Sequence, residues 1–418
     1  MPKLKQIFSP RKIAIWLSVI ALIFSFQYTN QPSQSQTQAI VTVLVVDLNE
    51  ESNVEVGAVV VTPVQNSYTK HFAYTGEGST ISRAIQSISL QLGKEMGFGQ
   101  CDVMALGDKI CEENAMKVLD YLTRTKRVGK NSILLNFEGD LEQFSNSLVY
   151  MMDNLGLPIG DIIDYNQRNT MASETNVESF LKSFYGDTGL SKMPKLSVQK
   201  EQTTNSIKID LSSSPSSAGG TNEESSSSES EGSSKGKDEV YFINNGTTSI
   251  FKNGKKVLEY SPKDMTYINL LDKKSVNGEF TLKNINSETY NNANLEIRLR
   301  DKKVDAKYVF DNNQPCIKYK LKLYIDIEEV VEEGKNKELL KSENWFVDDA
   351  VVKALKELIM TNLEVGITKI KTNFTDVLNI YEPFNKFHYK KWKKFTESTD
   401  NYLQGVDFNF DIKIYSDY

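Results

Sequence analysis

The sequence predicts an α+β protein of several domains, with mixed sheets and packed helices behind an N-terminal membrane anchor. Three observations predict it. An apolar run near the N-terminus is the only stretch apolar enough to leave water, and β-rich segments interleave with helical periods as far as about residue 200. After a serine-rich break, strictly alternating strands then surround one long helix.

Lys3, Lys5, Arg11 and Lys12 precede an unbroken apolar run from Ile13 to Phe26, and polar NQPSQSQTQ follows it. Positive charge ahead of an apolar core is the pattern of an export signal or a signal anchor. The run is shorter than the roughly 20 residues of a full span, although Gln27 and Tyr28 extend it. No small-x-small cleavage site follows, so residues 1–28 are expected to stay as an uncleaved anchor, with Ile13, Trp16, Leu17, Ile20, Leu22 and Phe26 in the membrane. A core helix would carry a polar face, and Ser18 and Ser25 are too few to make one.

The chain has 418 residues, 39% apolar and 25% charged, and carries a net charge of −6. Without the four N-terminal cations the exported part is more acidic still and has no long basic tract, which argues against nucleic acid as a partner. Cys101, Cys111 and Cys316 are an odd count without CxxC spacing; one disulfide is compatible with them and a stapled scaffold is not.

Residues 29–200 read as an N-terminal mixed α/β domain. IVTVLVVDL and VEVGAVVVTPV are β-branched runs around the turn Asn49 to Asn53, an antiparallel pair. Ser79 or Thr80 caps a helix in which Ile81, Ala84, Ile85, Ile88 and Leu92 recur at helical spacing, with Gly97 or Gly99 ending it. VMALG is a short buried strand, a helix from about Asn114 to Arg124 buries Ala115, Val118, Leu119 and Leu122, and SILLNFEG is a further strand. Helices 141–155 and 177–185 close this half, and the order ββαβαβ predicts a mixed sheet.

Residues 201–238 are dominated by Ser, Gly and Glu, too little apolar surface to offset the entropy of folding, and read as a disordered linker. Residues 239–418 read as a C-terminal α+β domain, with a further division at 290 left open. Asn253-Gly254 and Asn277-Gly278 are hairpin signals. LEIRLR and YKLKLYIDI alternate, a helix spans about Asp348 to Phe374, and VDFNFDIKI is a last strand expected to pair inside the second sheet.

Motifs that carry chemistry are missing. His71 and His388, the only histidines, lie in no HExxH or acid-flanked pattern, and GxSxG, Walker and GxGxxG signatures are absent. Glu328, Glu329, Glu332 and Glu333 read as a solvated turn, since no EF-hand pattern surrounds them. No catalytic residue, cofactor or metal is expected. FHYKKWKKF, Phe387 to Phe395, has two readings: lysines meeting anionic headgroups, or a helix that buries Trp392 and Phe395 with its lysines in water, which is preferred.

Five stretches in order resemble the Ger(x)C family of spore germination proteins, the C subunits of nutrient germinant receptors. GSTISRAIQSISLQLGKEMGFGQ contributes Gly78, Thr80 and Ala84. VMALGDKICEENAMKVLDYLTRTKR contributes Gly107, Leu119, Asp120, Arg124 and Arg127. TTSIFKNGKKVLEYSPKDMTYINLL follows, then the closing helix with Asp376 and the basic-aromatic segment with Trp392, then the terminal alternating strand. The resemblance implies a non-enzymatic, three-domain exported protein on the outer face of the spore inner membrane, partnered by multi-span membrane receptor subunits, one of them transporter-like. The chain departs from the family in three ways. Its first cysteine is Cys101, so N-terminal lipid attachment is not expected; no proline stands two residues before Trp392; and the serine-rich insertion is long. The alternative reading is an exported binding or scaffold protein of the same fold, and an exported cell-wall enzyme ranks third.

Overall fold

Eleven residues at Gln38–Leu48 form β1, the strand around which the first half is built, because its apolar run leaves both faces suited to burial. The computed structural model describes residues 18–20, 38–64, 68–154, 156, 158–161, 163, 175–200, 240–243, 247–273, 278–332 and 346–416. Of the anchor residues only Ile20 is described, helical and exposed; Ile13, Trp16, Leu17, Leu22 and Phe26 lie outside the described residues. Among the described residues no helix is long and apolar enough to cross a membrane.

β1 pairs antiparallel with β2 (Val54–Val64) around the expected turn, and β2 with β3 (Tyr68–Gly78). On its other edge β1 runs parallel to β4 (Glu95–Gly97) and β5 (Val103–Gly107), followed by parallel β6 (Ile133–Glu138) and β7 (Leu190–Lys200). Leu44 and Val46 point into a core with helices α1 (Ile81–Leu92), α2 (Asp108–Arg124) and α4 (Val177–Phe184). Val43 and Val45 point into a second core with α3 (Leu141–Asn154). The sheet is thus covered on both faces.

Several expectations shift. Thr80 caps α1, accepting from the Arg83 amide at 3.3 Å, but the helix ends at Gly93 rather than at Gly97 or Gly99. Gly93 takes φ 63°, a left-handed conformation that suits glycine. Helix α2 begins directly after β5, and Asn114, the expected start, is instead a break inside it, with φ −178° and ψ 102°. β3 and β7 form from YTKHFAYTGEG and LSKMPKLSVQK, which lack the apolar continuity that marks the other strands in sequence.

The division expected at residue 239 does not fall between the sheets. β8 (Val240–Ile243) and β9 (Thr248–Lys252) both pair antiparallel with β7, and β10 (Lys255–Tyr260) extends the first sheet through the Asn253-Gly254 hairpin. A hairpin signal specifies a turn but not the sheet edge it joins. The expected linker, residues 201–238, lies outside the described residues.

After α5 (Pro262–Asn269), capped by Ser261, a second sheet runs β11 (Gly278–Ile285), β12 (Ala293–Asp311), β13 (Gln314–Glu332) and β14 (Asp407–Ser416). Among the described residues β11 pairs with β12, and Asn277 of the expected Asn277-Gly278 hairpin lies outside the described residues. β12 and β13 meet at Asn312 and Asn313, both at positive φ. Glu328, Glu329 and Glu332 belong to β13, not to a turn, Glu333 lies outside the described residues, and Glu328 accepts from Arg298 at 3.0 Å. Helix α6 (Asp349–Asn373) matches its expected span and buries Val351, Leu355 and Ile359 against this sheet. β14 pairs inside this sheet as expected, its partner being β13 and the pairing parallel, which alternation does not specify.

Candidate functional site

The chain leaves α6 through Phe374, whose φ of 53° turns it back toward the start of α7 (Tyr381–Glu397). Asp376 organises that turn. Its buried carboxylate accepts from the Ile380 amide at 2.7 Å, the Tyr381 amide at 2.8 Å and the Tyr402 hydroxyl at 2.9 Å. Burial pushes its carboxyl above the usual carboxylate range, against these hydrogen bonds. Beyond it, Trp392 is fully buried, stacked on Phe384 at 4.8 Å and on Phe395 at 5.6 Å, with Tyr381 and Tyr402 edge-on. The preferred reading of the basic-aromatic run therefore describes the tryptophan correctly. Tyr381 and Tyr402 touch both Asp376 and Trp392, so these two motif residues belong to one cluster.

This cluster borders a cleft of about 1160 Å³ between the two sheets. Ser179, Lys182 and Asp187 line it from the first half, and Lys273, Tyr308 and Glu382 from the second. Asn385 spans the two halves, donating to Asp187 at 3.0 Å. Positive lysines and negative carboxylates both face the cleft, which suits recognition of a polar surface.

The motif positions of the first half sit elsewhere. A Cβ on Gly78 would lie 2.6 Å from the Cβ of Arg83 and 2.7 Å from the Ala84 amide, so Gly78, Thr80 and buried Ala84 form one tight corner where β3 meets α1. A Cβ on Gly107 would lie 2.0 Å from Cγ of Asp47. That carboxylate is raised in pKa by burial and accepts from the Ile110 amide at 3.0 Å in the first turn of α2. Leu119 is buried in the core. Asp120 and Arg124 are surface residues, a loose 3.8 Å pair one turn apart. The predicted residues thus form separate structural knots and do not converge on one site.

Residues that sequence reasoning did not single out tie β10 to the first half. Lys195 meets Asp108 at 3.1 Å and Glu138 and Glu259 at 2.8 Å, and Lys256 meets Asp108 at 2.6 Å. Burial opposes their charge, yet the carboxylates raise both lysines and the lysines hold Asp108 low. Lys256 and Asp108 lie 148 positions apart, so no local pattern announces the group. Lys302 is buried with its ammonium 2.6 Å from the Asn269 carbonyl, and burial pushes it down to about 8. His71 pairs with Asp153 at 2.6 Å, a carboxylate 82 positions away, and His388 reaches the Tyr308 carbonyl at 2.8 Å. Cys101, Cys111 and Cys316 are buried free thiols. Among the described residues no group of His, Cys, Asp and Glu has the arrangement of a metal site.

A sheet covered on both faces and a second sheet packed on α6, linked through a mixed-charge cleft and an aromatic knot, define a two-part α+β protein, and known families divide it in the same order. Residues 33–198 match the spore germination protein N-terminal domain, and residues 246–416 match the spore germination B3/GerAC-like C-terminal domain. The chain belongs to this spore germination family. The second match begins ahead of β9, so two strands of the C-terminal family domain complete the sheet of the N-terminal one. A crystal structure of the GerBC protein is similar at 12% identity and a TM-score of 0.47, covering 90% of this chain and 97% of that one. No curated protein matches the sequence.

Proposed function

We propose that this chain is a non-enzymatic C subunit of a spore nutrient germinant receptor. It is tethered by residues 13–26, with its folded part outside the cytoplasm, and assembles with multi-span membrane subunits to pass on the germination signal. The observation that carries this reading is the pair of spore germination domains, in order, across both halves of the chain. The non-enzymatic part of the reading rests on the family resemblance; the hydrogen bonds of Asp376, His71 and His388 give each a place in the fold.

The test is affinity purification of the full chain from spore membranes together with germination of spores lacking its gene. A receptor subunit brings down a multi-span partner, and its loss slows germination to at least one nutrient. Unchanged germination to every nutrient, or recovery of the chain alone, would refute the assignment in favour of an independent exported scaffold.

A further inference from the structure

Trp392 faces the interior, and this leaves the outer side of α7 to other residues. Phe387 is 67% exposed and Tyr389 56% exposed, on either side of a break at His388, where φ is −133° and ψ 31°. The His388 ring fixes that break by its 2.8 Å contact with the Tyr308 carbonyl. Lys386, Lys390, Lys391, Lys393 and Lys394 are all exposed around the two rings. Lys386 lies 5.4 Å over the Phe387 ring and Lys391 5.7 Å over Phe310. The acidic groups nearby are fewer: Glu382 and Glu397 on the helix, Asp187 held by Asn385, and Asp311 held by Lys318. On a chain of net charge −6, five lysines around two exposed aromatic rings form a local reversal of sign.

The geometry points to a docking face: α7 lays Phe387 and Tyr389 into the headgroup layer of an anionic membrane while its lysines meet the lipid phosphates. Aromatic side chains favour the boundary between headgroups and acyl chains, and each lysine near an anionic surface strengthens binding about fivefold. Charge complementarity selects the occupant, because an uncharged bilayer offers nothing to balance these lysines, of which Lys393 is only loosely paired, with Glu397 at 3.9 Å. The contact is separate from the N-terminal tether and would orient the second sheet at the bilayer.

The test uses the full chain in vesicles of phosphatidylcholine, with or without phosphatidylglycerol, and nitroxide-bearing lipid as quencher. Phe387→Cys carries an apolar fluorophore in place of the ring, and the native cysteines, being buried, stay unlabelled. Leu90→Cys, 77% exposed on α1, is the reference site. The face predicts quenching at 387 but not at 90, only when phosphatidylglycerol is present, and lost in high salt. Lys390→Glu with Lys394→Glu, both surface changes, reduces the docked fraction at least about tenfold, with circular dichroism checking that the fold is kept. Equal quenching with and without phosphatidylglycerol would overturn the proposal. So would an unquenched 387 label that becomes shielded only when membrane subunits are co-expressed, which would assign the face to a protein.

Discussion

Tyr402 donates its hydroxyl to Asp376 across 26 positions of sequence, at 2.9 Å, and so closes the turn that starts α7. The same carboxylate receives two amides of the helix's first turn. Asp376→Ala removes three acceptor contacts at once and leaves a half-buried phenol and two amides unpaired, a loss of about 2–4 kcal/mol by chemical denaturation.

The same group gives a pH signature. Its folded pKa is raised above 3.8 by burial, so its stabilising share is full below that value and is lost as pH rises through the folded value. Asp376→Asn removes this decline. A stability-against-pH curve for the variant that keeps the wild-type decline above pH 3.8 would refute the assignment.

Lys302 acts in the opposite direction. Burial lowers its pKa from 10.5 to about 8, so between these values the unfolded chain binds more protons and stability rises with pH. Lys302→Met should flatten that rise and raise stability at neutral pH, read from melting temperatures at pH 7 and pH 10. An unaltered difference between the two would contradict the burial of its charge.

Gly107→Ala should cost about 2–4 kcal/mol, because its Cβ falls on the Asp47 carboxylate. Since the damage passes through Asp47, a double-mutant cycle with Asp47→Ala should be strongly non-additive. Simple additivity would mean that the glycine serves another contact.

Trp392→Ala should cost about 3–5 kcal/mol, the loss of a large buried ring. Asp120→Ala and Arg124→Ala should stay within about 0.5 kcal/mol, because the pair is exposed and loosely joined. If spores carrying either of the latter variants germinate poorly, those residues meet a partner and do not serve the fold.

Legibility in the sequence followed the range of the interaction. Helix α6 was readable to its caps because Asp348, the spacing of Val351, Leu355 and Ile359, and the exit at Phe374 are all local. The buried side of β14 was readable from alternation alone. By contrast, β7 carries lysines at 192 and 195 that look like solvent-facing residues until Asp108, Glu138 and Glu259 arrive from three other elements to neutralise Lys195. The family positions were recognisable as a pattern, but their roles as a cap, a close approach and an aromatic knot needed the fold. The α7 surface was half legible: the run of lysines and aromatics was plain, but not which ring turns outward.

Lys200 and Val240, on either side of the serine-rich segment, are register partners in β7 and β8. The described chain before and after that segment therefore belongs to one sheet and is held together by strand pairing. Doubling the segment's length would cost only about 0.6 kcal/mol in closure entropy. A protease cut inside it would leave two fragments still held by β7, β8 and β9, so the nicked chain should migrate as one particle until denatured.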